Sequence, residues 1–292
     1  MAYTTIDNPE LYFQTKLYTG NGSSQAITLD GDEDMQPDWV WCKVRSQSDN
    51  HAIFDSVRGG QKQLRSNSTD AELTRTDAIS SFDSDGWSMG GQAEMNTNTG
   101  TYVAWCWKAG GSASTNEVGS TDTSVMNNST AKFSIGTYTG TSSAATMGHG
   151  LGAAPGIIII KNRSSGSRKW AVYHKNLSGN NKYLSLNETS AELTDTATWN
   201  NTAPTSTVFS SAGSGEVNQG SENFVFYAFS DVQGYSKFSS FVGNASTNGT
   251  MVYTGFRPAY VMFKKTTGSN ANWQAWDNKR DPENSVNNSS LP

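Results

Sequence analysis

The sequence predicts an all-β protein of tandem β-sandwich repeats in the jelly-roll or lectin-like style, with two full copies and a partial third. Three observations carry that expectation. A motif of proline, any residue, four hydrophobes and lysine occurs three times, as PDWVWCK (37–43), PGIIIIK (155–161) and PAYVMFK (258–264). The surroundings of the motif repeat with it. The composition is rich in Ser, Thr, Asn and Gly, with 11% aromatic and only 16% charged residues, and it lacks long runs of strong helix formers. Such a chain favours strands and turns.

Each repeat element follows in order. A glycine turn after an aromatic opens it, in LYTGNG, TYTGTS and SFVGNA. Gly20, Gly140 and Gly243 precede Pro37, Pro155 and Pro258 by 17, 15 and 15 positions. The four-hydrophobe run then reads as a short strand covered on both faces. A buried helix fits poorly, because the run is short and IIII is β-branched throughout. The proline suits a strand entry, where its missing N–H is tolerated. After the lysine comes a polar loop, then an aromatic strand: HAIFD (51–55), WAVYH (170–174) and WQAWD (273–277). The first two copies continue with L-x-x-N-x-T-x-A-E-L, at 64–73 and 184–193, and with TYVAWCW (101–107) and NFVFYAF (223–229). Short strands between Gly/Ser/Asn turns are the pattern of a β-sandwich.

These features divide the chain into an N-terminal arm (1–12), repeat 1 (13–108), a flexible Gly/Ser/Thr linker (109–131), repeat 2 (132–229) and a partial repeat 3 (230–292). Half a sandwich leaves strand edges and an apolar face uncovered. A partner subunit, repeat 2 itself, or further chain of a longer protein would each solve that problem.

The bulk properties narrow the function. A net charge of −5 with no basic face argues against nucleic-acid binding. No run reaches the ~18 apolar residues of a membrane helix, so membrane insertion is not expected. The N-terminus has neither the basic start nor the apolar centre of a secretory signal. Cys42 and Cys106 lie inside apolar runs and read as buried thiols, while a disulfide between them stays open.

At this point the residues resemble a known group. FDSVRG, YVAWCWKAGG and TGFRPA, in that order, are similar to the repeat modules of virion structural proteins of marine tailed bacteriophages, cyanophage-like, over about residues 13–292. The resemblance implies a non-enzymatic protein of the particle surface: a tail or head fibre, or a capsid decoration. It implies self-assembly, contact with other virion proteins and a place on the extracellular particle. It transfers no catalytic residue.

Candidate sites are few. His51, His149 and His174 lack the context of a known catalytic motif and read as structural. A carboxylate pair of a glycan depolymerase leaves no sequence spacing, so that activity is the third reading. Asp30, Asp32 and Asp34 in DGDED place oxygens at alternate positions, a start that suits Ca²⁺, but Met35 stands where an EF-hand needs Gly. The ordinary reading is acidic turns, with no cofactor, and the alternative is a calcium site. Asp55 and Arg58 in FDSVRG read as a structural ion pair or a polar anchor. Trp199, in the polar stretch DTATWNNTAP, is the most loop-like tryptophan, and Trp273 and Trp276 belong to the truncated copy. These three are the candidates for a host surface glycan or a protein partner, since aromatic faces stack on sugars and anchor interfaces.

Overall fold

The computed structural model describes residues 4–280 and 282. Repeat 1 holds β1 (Phe13–Thr19), β2 (Gln25–Thr28), β3 (Trp39–Val44), β4 (Ala52–Asp55), β5 (Lys62–Gln63), β6 (Leu73–Thr74), β7 (Ile79–Asp83), β8 (Gly86–Met89) and β9 (Thr101–Trp107). Two further strands follow, β10 (Ser114–Asn116) and β11 (Thr123–Asn128). Repeat 2 holds β12 (Phe133–Thr139), β13 (Ala145–Gly148), β14 (Ile157–Asn162), β15 (Ala171–His174), β16 (Lys182–Ser185), β17 (Leu193–Thr194), β18 (Val208–Ser211) and β19 (Asn223–Phe229). Repeat 3 contributes the hairpin β20 (Tyr260–Phe263) and β21 (Gln274–Asp277). The architecture is nearly all-β and antiparallel, of the β-sandwich class.

The two larger units share one topology. The main sheet of repeat 1 runs β1-β9-β3-β4, and the same order, β12-β19-β14-β15, lies inside the long sheet of repeat 2. The last strand of each copy therefore sits in the middle of its sheet, between the first strand and the motif strand. A small second sheet, β2-β8-β7 or β13-β18, covers one face.

Alternation along the motif strand places its four hydrophobes. Val40 and Cys42 point into the sandwich of repeat 1, with Phe54, Trp87, Tyr102 and Met95. Ile158 and Ile160 do the same in repeat 2, with Phe209, Phe226 and Trp199. The alternate residues Trp39, Trp41, Ile157 and Ile159 face the other way, into one shared core that also takes Trp105, Tyr227 and Trp273, with Tyr260 and Met262 against it. The three motif strands thus meet back to back around a common apolar centre. Packing is adjusted pair by pair. Gly136 opposes Phe226 across β12 and β19, and a Cβ on Gly136 would lie 2.1 Å from that ring. At the equivalent pair in repeat 1, the small residue is Ala104 and the long one is Lys16.

The stretch 109–131 differs from the expected linker. β10 and β11 extend the sheet of repeat 2 beyond β12. Edge pairing needs backbone groups rather than apolar side chains, and the two large hydrophobes of β11, Val125 and Met126, are buried on opposite faces. The N-terminal arm is docked as well, with Ile6 buried beside Ala131 and Val232. Among the described residues, no helix is long and apolar enough to cross a membrane.

Candidate functional site

The chemistry-bearing residues of this chain gather at the seams between repeats. The L-x-x-N-x-T-x-A-E-L frame builds one side of each seam. Its leucine, Leu64 or Leu184, enters the shared core. Its asparagine ties the frame to the aromatic strand: Asn67 Oδ1 accepts from the His51 N–H at 3.1 Å, and Asn187 Oδ1 from the Trp170 N–H at 2.9 Å. The last leucine, Leu73 or Leu193, starts the short strand β6 or β17.

The following repeat docks on backbone groups of that frame. Lys161, the motif lysine of repeat 2, donates to Thr69 O of repeat 1 at 2.8 Å and to Arg168 O at 2.6 Å. Lys264, the motif lysine of repeat 3, donates to Thr189 O of repeat 2 at 2.7 Å and to Ala271 O. Trp170 Nε1 donates to Arg65 O, and Trp273 Nε1 to Ser185 O, both at 2.8 Å. The Glu72 N–H bonds Arg163 O at 2.9 Å, and the Glu192 N–H bonds Thr266 O at 3.1 Å. Each of these backbone-directed contacts of repeat 2 on repeat 1 recurs, at the equivalent position, between repeat 3 and repeat 2. The motif lysine is thus a docking cation that satisfies carbonyls a buried seam would otherwise orphan.

A buried ionic knot closes the first seam. The Asp55 and Arg58 side chains are paired and fully buried. Tyr227 of repeat 2 donates its hydroxyl to Asp55 at 2.7 Å and accepts from Arg58 at 3.2 Å. Glu72 bridges Arg58 at 3.0 Å and Arg163 at 2.7 Å. Burial opposes the charge on Arg58, but Asp55, Tyr227 and Glu72 outweigh it and raise its pKa. Burial would raise Glu72, yet Arg163 and Arg58 hold it below the usual carboxylate range. The equivalent pair in repeat 3, Asp277 and Arg280, receives Trp105 Nε1 of repeat 1 at 3.0 Å. Trp105 and Tyr227 hold equivalent positions on β9 and β19, so the contacts run in one cyclic sense from repeat to repeat.

The other sequence candidates fall in different places. Trp199 is not a loop aromatic. It is fully buried against Tyr173, at 5.6 Å between rings, in the interior of repeat 2. Its polar neighbours misled, because one inserted ring is all that the turn contributes to the core. Trp273 is buried in the second seam rather than exposed for an outside ligand. Trp276 is half-buried and stacks on Phe263 at 4.8 Å. Asp30 pairs with Lys16, while Asp32 and Asp34 are exposed. Among the described residues no group of three His, Cys, Asp or Glu is placed to hold a metal ion, so the three aspartates do not converge. Cys42 and Cys106 are free, buried thiols, and burial pushes the Cys42 thiol up to about 12. Among the histidines, His149 is buried and tied to Thr205 O and the Leu151 N–H. The seam residues Glu72, Arg163 and Tyr227 escaped sequence reasoning. The signal that could have found Glu72 is the frame itself, whose polar letters repeat as faithfully as its apolar ones.

Three predictions follow from the seams. Asp55→Ala strips a buried arginine of its nearest partner and is expected to cost about 3 kcal/mol or more. Tyr227→Phe, which keeps the ring, is expected to cost about 1 kcal/mol, with both read by urea unfolding. Burial lowers the pKa of Lys161 to about 8, against the pull of Asp70 and Glu216. The unfolded chain therefore binds more protons between about pH 8 and 10.5, and stability contributed at this site rises with pH across that window. The stability gap between the native chain and Lys161→Met is expected to widen by about 1–2 kcal/mol from pH 7.5 to 9.5. A gap constant with pH would contradict the buried, docking role of this lysine.

None of the curated proteins and none of the solved structures compared matches the chain. One family profile matches residues 8–292, which spans both full repeats, both seams and repeat 3. The chain therefore belongs to the family described as a domain of unknown function, DUF7483.

Proposed function

We propose that this chain is a non-enzymatic structural protein of a bacteriophage particle surface, a tail or head fibre component or a capsid decoration. The observation that supports it most is where the chain spends its reactive side chains. Asp55, Arg58, Glu72, Lys161 and Lys264, with Trp105, Trp170, Trp273 and Tyr227, hold one repeat to the next. A body held by aromatic stacks and buried ion pairs serves mechanical cohesion. The motifs FDSVRG, YVAWCWKAGG and TGFRPA, similar to those of virion repeat modules, lead to the same reading. Its partners are then copies of itself and other virion proteins.

A second reading, carbohydrate recognition in host attachment, keeps one favourable residue. Trp276 is the sequence-selected tryptophan that retains an accessible face. The first reading is tested by quantitative mass spectrometry of density-purified particles from the source phage. It expects the chain in fixed ratio to the capsid protein. A chain abundant in the lysate but absent from purified particles would refute it. Glycan binding abolished by Trp276→Ala would favour the second reading.

A further inference from the structure

Repeat 3 has an open seat, and the two complete repeats show what fills it. In repeats 1 and 2 the central strand, β9 or β19, lies between the first strand and the motif strand. In repeat 3, among the described residues, β20 pairs only with β21. Residues 238–242, which correspond to β1 and β12, form no strand. Consequently the inward face of β20 is only partly covered. Val261 and Phe263 are 40% and 39% exposed, whereas their counterparts Val40, Cys42, Ile158 and Ile160 are fully buried. Of the large hydrophobics exposed among the described residues, all but Val118 lie between Phe241 and Phe263.

The seams say what this face fits. Contacts run in one cyclic sense around the three repeats, and the seam of repeat 2 on repeat 1 has both its lysine and its aromatic contact. The missing contacts would join repeat 3 to repeats 1 and 2. Lys43, the motif lysine of repeat 1, is half-buried and donates within its own repeat, to Val44 O at 2.7 Å. Its equivalents reach a frame threonine carbonyl in another repeat. His174 of repeat 2 occupies the position of Asp55 and Asp277, which accept from Tyr227 and Trp105. Lys43 and His174 are thus the two positions at which an occupant of the seat would complete the ring.

We propose that this face is a docking seat for the second half of a repeat of this same kind. The occupant carries an L-x-x-N-x-T-x-A-E-L frame and an aromatic strand of the β9/β19 type. Its strand inserts between β20 and residues 238–242, its threonine carbonyl takes Lys43, and its outward aromatic meets His174. Insertion covers Val261, Phe263 and Trp276 and removes the open edge of β20. This inference stands apart from the virion reading, since it follows from the repeat geometry alone.

The test compares the 292-residue chain with a version carrying residues 182–231 of repeat 2 joined after Pro292 by a flexible linker. Amide exchange is read at 238–242 and 260–263, with light scattering for mass. Exchange in those segments is expected to slow by about tenfold or more in the grafted chain, while both are monomers. Lys43→Met should partly reverse that protection in the grafted chain and have little effect in the other. Protection within repeats 1 and 2 reports whether the grafted chain is folded, and a graft of residues 62–109 replaces the first if it is not. Unchanged exchange in folded grafted chains would overturn the proposal. So would a 292-residue chain that is already a dimer with these segments protected, because a second copy would then be the occupant.

Discussion

A strand that is apolar on both faces must be covered twice, and that constraint organises this protein. The motif strands β3 and β14 send alternate side chains in opposite directions. One set fills the sandwich of its own repeat, and the other fills a core common to all repeats. The sandwich alone would leave Trp39, Trp41, Ile157 and Ile159 in water. Burying aromatic and aliphatic side chains of this size stabilises by roughly 1.5–3 kcal/mol each, so separate repeats would forfeit much of their stability. Trp39 shows the coupling most directly. It is stacked on Tyr227 of the next repeat at 4.3 Å and touches Trp41, Trp107 and Phe133 as well.

Polar chemistry then sets the order in which repeats dock. An apolar centre alone would accept several arrangements. The lysine, tryptophan and backbone contacts to the L-x-x-N-x-T-x-A-E-L frame fix a single direction around the centre. The Asp55–Arg58–Tyr227 knot makes mispairing costly, because a misplaced neighbour would leave a buried charge without a partner.

The motif strands and the aromatic strands were legible in the sequence, since each announces itself by hydrophobic spacing. So was the pairing of Asp55 with Arg58, from its short turn. The meaning of the motif lysine was not legible. Its acceptors are backbone carbonyls far along the chain, and carbonyls leave no trace in residue identity. The strands at 114–128 were hidden for a related reason, because an edge strand needs few apolar side chains. Trp199 was misjudged from its neighbours, whose polarity describes the outside of a turn whose tryptophan points in. Trp276 stands apart, because the face it occupies is the interior of a sandwich in the other two repeats.

The central claim is that repeats 1 and 2 share one core and fold as one body. Scanning calorimetry of the 292-residue chain tests it most directly, beside Trp39→Ala. The account predicts one transition covering both repeats, with calorimetric and van't Hoff enthalpies in agreement. It predicts that Trp39→Ala shifts that whole transition downward. Two separable transitions, with Trp39→Ala moving only one of them, would contradict it.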